Sequence, residues 1–545
     1  MAFKASLQLA LLVATAAAVP ASVSRRASSG VNTATINGQT YVYESLAGYG
    51  YTASNSRDKF GDTAGGLGSS AAIDPSSWKK SGSSYTGVLW ALPDRGWNTE
   101  GTTNYQPRVH KFAITFTPND SATVSDPSPP NLQLEYLDSI LFTDPAGAPI
   151  TGLDSVAEPP YLSFETTGEV PTANYTGDGF GGSGSGGRRV SGDTEGLVVN
   201  SDGSFWVSDE YGPSIFHFSS SGQLLSSIKV PDALIPRRND QVSFSANSPP
   251  VYDPDLEVDP SKPESGRNNN QGFEGLTASP DGKTLYILLQ SAAIQDGGTS
   301  KTTSRYTRFL QYDVSDPLSP VYEAEYVVPL PVYGDEGTTA AQSEVKYISD
   351  TQFLVLARDS DKGHGQGADN TESVYRHVDV FDISSATNIK GTDYDSTTGS
   401  IATDGELNAD ITPATFASWL DFNVNSELGK FGAHNGGDED SNLLNEKWES
   451  LALVPVEPET AEEEKQSWGN WGSWGRWGGS GHHSKRSVSS NEYFLFSLSD
   501  NDFITQDGYE NFGQFPYSDS SGYDLSNQVL VFKVQLPSGS KPRVG

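Results

Sequence analysis

Five times along this chain a short phrase of acidic and apolar residues is followed by a turn and then by an apolar strand that ends in polar residues. The clearest copy runs Asp193-Thr194-Glu195-Gly196-Leu197-Val198-Val199, turns at Ser201-Asp202-Gly203, and returns along Phe205-Trp206-Val207-Ser208-Asp209-Glu210. A second copy runs from Phe273-Glu274-Gly275-Leu276 through Pro280-Asp281-Gly282 to Leu285–Gln290. Looser copies span Ser343-Glu344-Val345 to Leu356-Ala357-Arg358-Asp359, and Trp448-Glu449-Ser450-Leu451 to Leu498-Ser499-Asp500. The most worn runs from Gly65-Gly66-Leu67 to Leu89-Trp90-Ala91-Leu92-Pro93-Asp94-Arg95. A strand pair repeated in this way, with further strands after it, marks a radial all-β architecture, a β-propeller with five visible repeats.

In an antiparallel blade the start of strand one and the end of strand two lie at the same edge. Closing the ring gathers all copies of that edge onto one face. Glu195, Glu274, Glu344 and Glu449 are expected there from strand starts, and Asp94, Arg95, Asp209, Glu210, Arg358, Asp359, Asp500 and Asp502 from strand ends. The Asp202-Gly203 and Asp281-Gly282 pairs read as hairpin turns instead.

The outer strands follow by alternation. Arg308–Val314 and Tyr322–Val328 complete one blade, and Arg108–Phe116 with Leu132–Phe142 complete another. The last copy has a third strand at Gln528–Leu536 but no fourth, which the N-terminal strand Thr40–Glu44 can supply, closing the ring. The irregular stretches 143–190 and 390–445 leave room for a sixth blade, and Ala414–Leu428 is the one fair candidate for a helix.

The formal charge of −34 over 545 residues argues against nucleic acid and against anionic membrane surfaces as partners. Lys4 followed by the apolar run Leu7–Val19 reads as a signal peptide over 1–21, and Arg25-Arg26 as a processing site in a short propeptide or linker over 22–35. One propeller domain is expected over 36–545, secreted and monomeric. The sequons Asn119-Asp120-Ser121 and Asn174-Tyr175-Thr176 suit a secreted glycoprotein. The absence of cysteine excludes disulfides, thiolate nucleophiles and cysteine-ligated metal centres. A low-complexity insertion over 458–487, carrying glycine-spaced tryptophans and His482-His483, interrupts the last blade and cannot build a core.

These phrases resemble the secreted phytase-like family, described as having esterase-like activity of phytase. The resemblance spans Gly65 to Leu536. It rests on Gly66-Leu67, Leu92-Pro93-Asp94-Arg95-Gly96, Asp193–Leu197, Ser208-Asp209-Glu210, Gln271–Leu276, Leu354–Arg358 and Ser499-Asp500-Asn501-Asp502-Phe503. Two departures stand out. Ala357 takes the place of an acidic residue common in the family, and the closing Ser-Asp-Asp-Asn-Phe pattern appears here as Ser-Asp-Asn-Asp-Phe. The resemblance implies hydrolysis of phosphomonoesters or related esters without naming a nucleophile.

Clustered carboxylates supply the hard oxygen ligands that calcium prefers, and would otherwise repel one another. Glu195, Asp209, Glu210, Glu274, Glu449, Asp500 and Asp502 are the expected Ca2+ ligands. Arg95 and Arg358 suit two-point binding of a phosphate or carboxylate, and His364 is a candidate acid. His217 on its strand reads as structural, and no serine stands in a Gly-x-Ser-x-Gly elbow. Acids at propeller strand ends also serve to bind backbone amides of the neighbouring blade. Two alternatives to a small-molecule ester hydrolase therefore stay open. One is a non-catalytic propeller that binds a sugar, protein or cell-wall component, and the other is a metal-dependent lactonase.

Overall fold

The computed structural model describes residues 30–365, 370–458 and 491–545. The expected signal peptide and residues 459–487 of the expected insertion lie outside them. Every described sheet of four or more strands is antiparallel and belongs to one ring of five blades. Blade 1 holds Ser70–Ile73, Ser84–Leu92, Arg108–Phe116 and Leu132–Leu141, with the short strand Lys79–Ser81 added beside the second. Blade 2 holds Thr194–Val199, Phe205–Asp209, Ser214–Phe218 and Leu224–Ile228. Blade 3 holds Phe273–Ala278, Thr284–Leu289, Tyr306–Asp313 and Val321–Pro329. Blade 4 holds Ala341–Tyr347, Gln352–Arg358, Arg376–Asp382 and Thr415–Asp421.

Blade 5 is built from both ends of the described chain. Lys447–Trp448 and Ala452–Pro455 pair with Glu492–Asp500, which pairs with Asn527–Gln535. The N-terminal strand Gln39–Thr52 then adds on, in register from Val42 opposite Gln535 to Thr52 opposite Asn527, and Asn32–Ile36 forms the outermost strand. The sheet thus begins at Asn32, inside the stretch expected as linker. The two irregular stretches form no sixth blade. They carry the short hairpins Leu162–Phe164 with Gly168–Val170, Thr172–Tyr175 with Gly187–Val190, and Ala402–Thr403 with Glu406–Leu407. The helix expected at Ala414–Leu428 is instead the fourth strand of blade 4 followed by a single turn at Asn425–Leu428. Trp419 and Leu420 are buried against the N-terminal strands, so tertiary packing overrides the local pattern.

The core consists of one apolar layer between each pair of neighbouring blades. Tyr41, Tyr43, Leu356 and Trp419 seal blade 5 against blade 4, while Trp78, Phe116, Phe494 and Phe496 seal it against blade 1. Equivalent layers centre on Trp90 with Phe205, on Trp206 with Leu276, and on Tyr286 with Phe353. Polar bonds add register between blades, for example Tyr41 Oη to Gln352 Oε1 at 2.7 Å and Trp78 Nε1 to the Pro455 carbonyl at 2.9 Å. No helix among the described residues is long and apolar enough to cross a membrane.

At the end of the ring where the first strands finish, the segment Arg543–Gly545 reaches all five blades. The Arg543 guanidinium donates to the carbonyls of Val199 and Ser279, and its backbone amide donates to Tyr347. Gly545 donates to Leu453 and lies against the Ile73 carbonyl of blade 1. Charge-assisted bonds of this kind contribute about 1.5–3 kcal/mol each. Arg543→Ala is expected to lower stability by about 2 kcal/mol, read as a lower urea midpoint at unchanged slope. An unaltered midpoint would remove this segment from the forces holding the ring.

An acidic funnel as the candidate functional site

At the opposite end, where the first strands begin, the innermost strands of blades 2 to 5 depart from regular pairing, while that of blade 1 stays in register. Register breaks fall between Thr194 and Leu197, between Phe273 and Gly275, and between Gln342 and Glu344. In blade 5 the pairing stops after Trp448 and resumes at Ala452. A bulge re-aims the extra side chain, and here it turns Glu195, Glu274 and Glu449 toward the axis.

The bulge also corrects the expectation for Glu344. Register places Ser343 where Glu274 stands in blade 3, and Glu344 where Gly275 stands. Glu344 consequently points into the channel centre. One of its oxygens accepts from Ser70 Oγ at 2.7 Å and the other from the amides of Val345 and Leu276. It ties blades 1, 3 and 4 together and is not part of the acidic mouth.

Glycines make the convergence possible. A Cβ on Gly196 would lie 2.5 Å from the Glu274 carbonyl, and one on Gly68 would lie 2.0 Å from the Asp500 amide. The Gly65-Gly66-Leu67-Gly68 run therefore lets the Asp500–Phe503 turn of blade 5 seat directly on blade 1. Asn501 Oδ1 fixes that seat by accepting from the Gly66 and Phe503 amides at 2.8 and 3.2 Å. Asp502 and Phe503 both adopt positive φ, 49° and 55°, a conformation that costs non-glycine residues energy and is held here by Phe503 burial.

The face so formed gathers Asp94, Asp193, Glu195, Glu210, Glu274, Glu446, Glu449, Asp500 and Asp502 around Arg95, Arg358 and Lys447, with Arg267 behind Glu210. Carboxylate oxygens of Asp193, Glu195 and Glu210 lie within 4.8 Å of one another, as do those of Asp94, Asp500 and Asp502. At an effective dielectric constant near 20, two unit charges 4.8 Å apart repel by about 3.5 kcal/mol. The two triads answer that repulsion differently.

In the second triad the protein supplies its own cation. Lys447 Nζ bonds Asp502 and lies 3.7 Å from Asp500. Burial would lower the Lys447 pKa, but Asp502, Asp500, Glu449 and Asp94 outweigh it and hold the ammonium charged. Asp94 is further occupied by the Gly96 amide and Asn98 Nδ2. Asp500 and Asp502, expected as calcium ligands, are thus already compensated.

The first triad is left open. Asp193 Oδ2 pairs with Arg95 at 3.1 Å, but its Oδ1 is buried without a hydrogen bond. Glu210 accepts only a long 3.3 Å bond from the Gly272 amide. Glu274 Oε1 takes Gln290 Nε2, while its Oε2 is buried and unbonded. Burial pushes the Asp193 and Glu210 carboxyls up to about 7, against the opposing pull of Arg95. Burial, reinforced by the neighbouring acids, drives the Glu195 and Glu274 carboxyls well above the usual carboxylate range.

Other expected site residues are placed elsewhere or already engaged. Asp209 is engaged by the backbone: its oxygens accept the Asp193 and Gly212 amides at 2.9 and 2.7 Å. Arg358 donates to Glu449 at 2.7 Å and Arg95 to Asp193, yet the Nε of each is buried and unbonded. His364 stands outside the cluster, its ring against Tyr523 and its charged neighbours Glu439 and Asp440, so the structure gives it no place as the acid. His217 stacks on Trp206 and meets Ser204, as a structural residue would. Lys447, Asp193 and Glu446 belong to the face but escaped the sequence reading. Their signal was position alone, one or two residues from Trp448, Glu195 and Lys447.

A family model described as phytase-like, esterase-like activity of phytase, matches residues 79–457. The chain belongs to the phytase-like family. This phytase-like chain is also 51% identical over 480 residues to a protein of Arthroderma benhamiae described as an uncharacterized secreted protein, covering 86% of this chain and 88% of the relative. Among solved structures it is similar to a luciferin-regenerating enzyme, at 12% identity and a TM-score of 0.26, over 88% of this chain and 95% of that one. It is also similar to an N-acetylgalactosamine deacetylase from F. plautii, at 8% identity and a TM-score of 0.28, over 90% and 95%.

A carboxyl whose folded pKa is raised leaves the folded chain holding more protons than the unfolded one, from the usual carboxylate range near 4 up to about 7. Cation-free protein is therefore expected to lose stability as pH rises through that window and to level off above it. Added calcium competes with those protons, so the gap between calcium-loaded and chelated melting temperatures should widen from about pH 5 to about pH 7.5. A gap that is absent, or widest at low pH, would show that no cation answers these acids. Lys447→Met strands Asp500 and Asp502 and is expected to cost about 3–5 kcal/mol in chelator, measured by denaturant unfolding.

Proposed function

We propose that this phytase-like protein is a secreted hydrolase of phosphate or related esters that works through a calcium-binding acidic funnel. The observation that carries the reading is the pair of buried oxygens on Asp193 and Glu274, beside Glu195 and Glu210, that the neighbouring Arg95 and Arg358 leave without a hydrogen bond. Such a donor set fits a hard divalent ion: oxygen only, anionic and buried on a rigid scaffold. Asp193, Glu195, Glu210 and Glu274 would hold it. Bound calcium would supply positive charge for substrate oxygens and lower the pKa of a water near them. Arg95 and Arg358 stand at the edge of the same cluster and would orient an anionic substrate, each with an Nε–H still to donate. Phytate-like polyphosphates are the substrate class that the family and this charge pattern favour.

The depth of the acids favours a second reading, a structural ion in a non-catalytic binding propeller. Both readings predict calcium binding, so turnover separates them. Purified protein is to be assayed for phosphate release from phytate and for cleavage of a chromogenic acyl ester, with calcium and after chelation. Calcium-dependent phosphate release that falls at least about tenfold in both Glu195→Gln and Glu274→Gln supports the hydrolase. Acyl cleavage alone points to an esterase or lactonase. Silence on both substrates, with a calcium-dependent rise in melting temperature, supports the binding propeller.

A further inference from the structure

A groove of about 630 Å3 lies apart from the acidic funnel, beside blade 2, between the segment 153–158 and the loop 238–259. None of the funnel carboxylates lines it. Its volume falls in the range of pockets that hold a small organic ligand.

The walls of this groove are preformed. Asp154 accepts from Ser245 Oγ and from the amides of Ala246 and Ser248, at 2.8, 2.8 and 2.9 Å. Arg238 donates to Ser243 Oγ and Asn269 Oδ1 at 2.9 and 2.6 Å. Asp154 and Arg238 are thus satisfied internally, while Glu158, Asp253, Glu257 and Asp259 add exposed carboxylates to the lining. What it offers is a mixture of amide and carboxyl edges with apolar surface from Pro249, Pro250 and Leu256, the last 51% exposed. Alternating polar and apolar contact of this kind suits a neutral sugar, whose hydroxyl edges need hydrogen bonds and whose ring faces do not.

An acceptor sequence for a sugar lies on the groove itself. Asn174 and Thr176, the first and third residues of an Asn-Tyr-Thr sequon, both line it. Asn174 is exposed on the hairpin strand Thr172–Tyr175, and its side-chain amide hydrogen-bonds to no described residue. Tyr252 lines the same groove, which sets its aromatic ring beside the sequon. The other sequon is built differently: Asn119 Oδ1 is turned back onto the Ser121 amide and hydroxyl at 3.2 and 2.7 Å, and Asn119 lines neither described cavity.

We propose that Asn174 carries an N-linked glycan whose inner sugars lie in this groove, against Tyr252 and the Pro249–Leu256 wall. The glycan covers the exposed Leu256 side chain and ties the hairpin Thr172–Val190 to the loop 238–259. The occupant is the protein's own neutral glycan and not a free ligand.

The test uses full-length protein from a secreting eukaryotic host. Peptide mass spectrometry is expected to find Asn174 occupied. Peptide-N-glycosidase should remove that glycan from folded protein at least about tenfold more slowly than from unfolded protein, because only the fraction out of the groove is open to the enzyme. Tyr252→Ala, which keeps the sequon, should abolish the protection while the glycan stays attached. An unmodified Asn174 would overturn the proposal. Equal release from folded and unfolded wild-type protein would overturn the seating in the groove, and this comparison needs no variant to fold.

Discussion

The pairing of the N-terminal strand Gln39–Thr52 with Asn527–Gln535 is the interaction on which the rest depends. It makes blade 5 from both ends of the described chain and lets that blade pack on blade 1 on one side and blade 4 on the other. Without it the two edges of the fan would stay exposed, with unpaired backbone groups and two open apolar layers. The chemistry of the mouth depends on it too. Lys447, Glu449, Asp500 and Asp502 come from blade 5, Asp94 and Arg95 from blade 1, and Arg358 from blade 4. Ring closure is what forces these like charges into one space.

Once they are there, the low dielectric of the pit leaves three ways to remain folded: protonate, pair, or bind a cation. The structure uses the second on one side, where Lys447 meets Asp500 and Asp502 and Arg358 meets Glu449. Arg95 pairs with one oxygen of Asp193 and leaves the other unbonded. The asymmetry between the two sides is the main reason for assigning different roles to acids that are similar in sequence.

Much of the fold was legible in the sequence because a blade repeats. Five copies of the same phrase gave the innermost strands, alternation gave Arg108–Phe116 and Arg308–Val314 (the latter observed as Tyr306–Asp313), and the missing fourth strand of the last copy pointed to the N-terminus. The fourth strand of blade 4 was not legible. Its Thr-Phe-Ala-Ser-Trp-Leu-Asp run alternates weakly and takes its partner, Arg376–Asp382, across a long connection. At the site, the repeats identified the face but not the aim of each side chain. A one-residue bulge decides whether a glutamate enters the funnel, as Glu274 does, or fills the axis, as Glu344 does, and no residue type marks that shift. Asp209 carries a related ambiguity: an acid at a strand end can accept backbone amides as well as a metal, and its bonds to the Asp193 and Gly212 amides emerge only from the fold.

The arginine staple at the other end of the ring has a consequence for traffic. A propeller channel open at both ends could admit a molecule at one mouth and discharge it at the other. Here Arg543–Gly545 crosses the far mouth and Glu344 with Ser70 blocks the axis above it. The funnel is therefore a blind vessel. Whatever enters past the acidic rim must leave by the same route, so departure of one occupant has to precede arrival of the next.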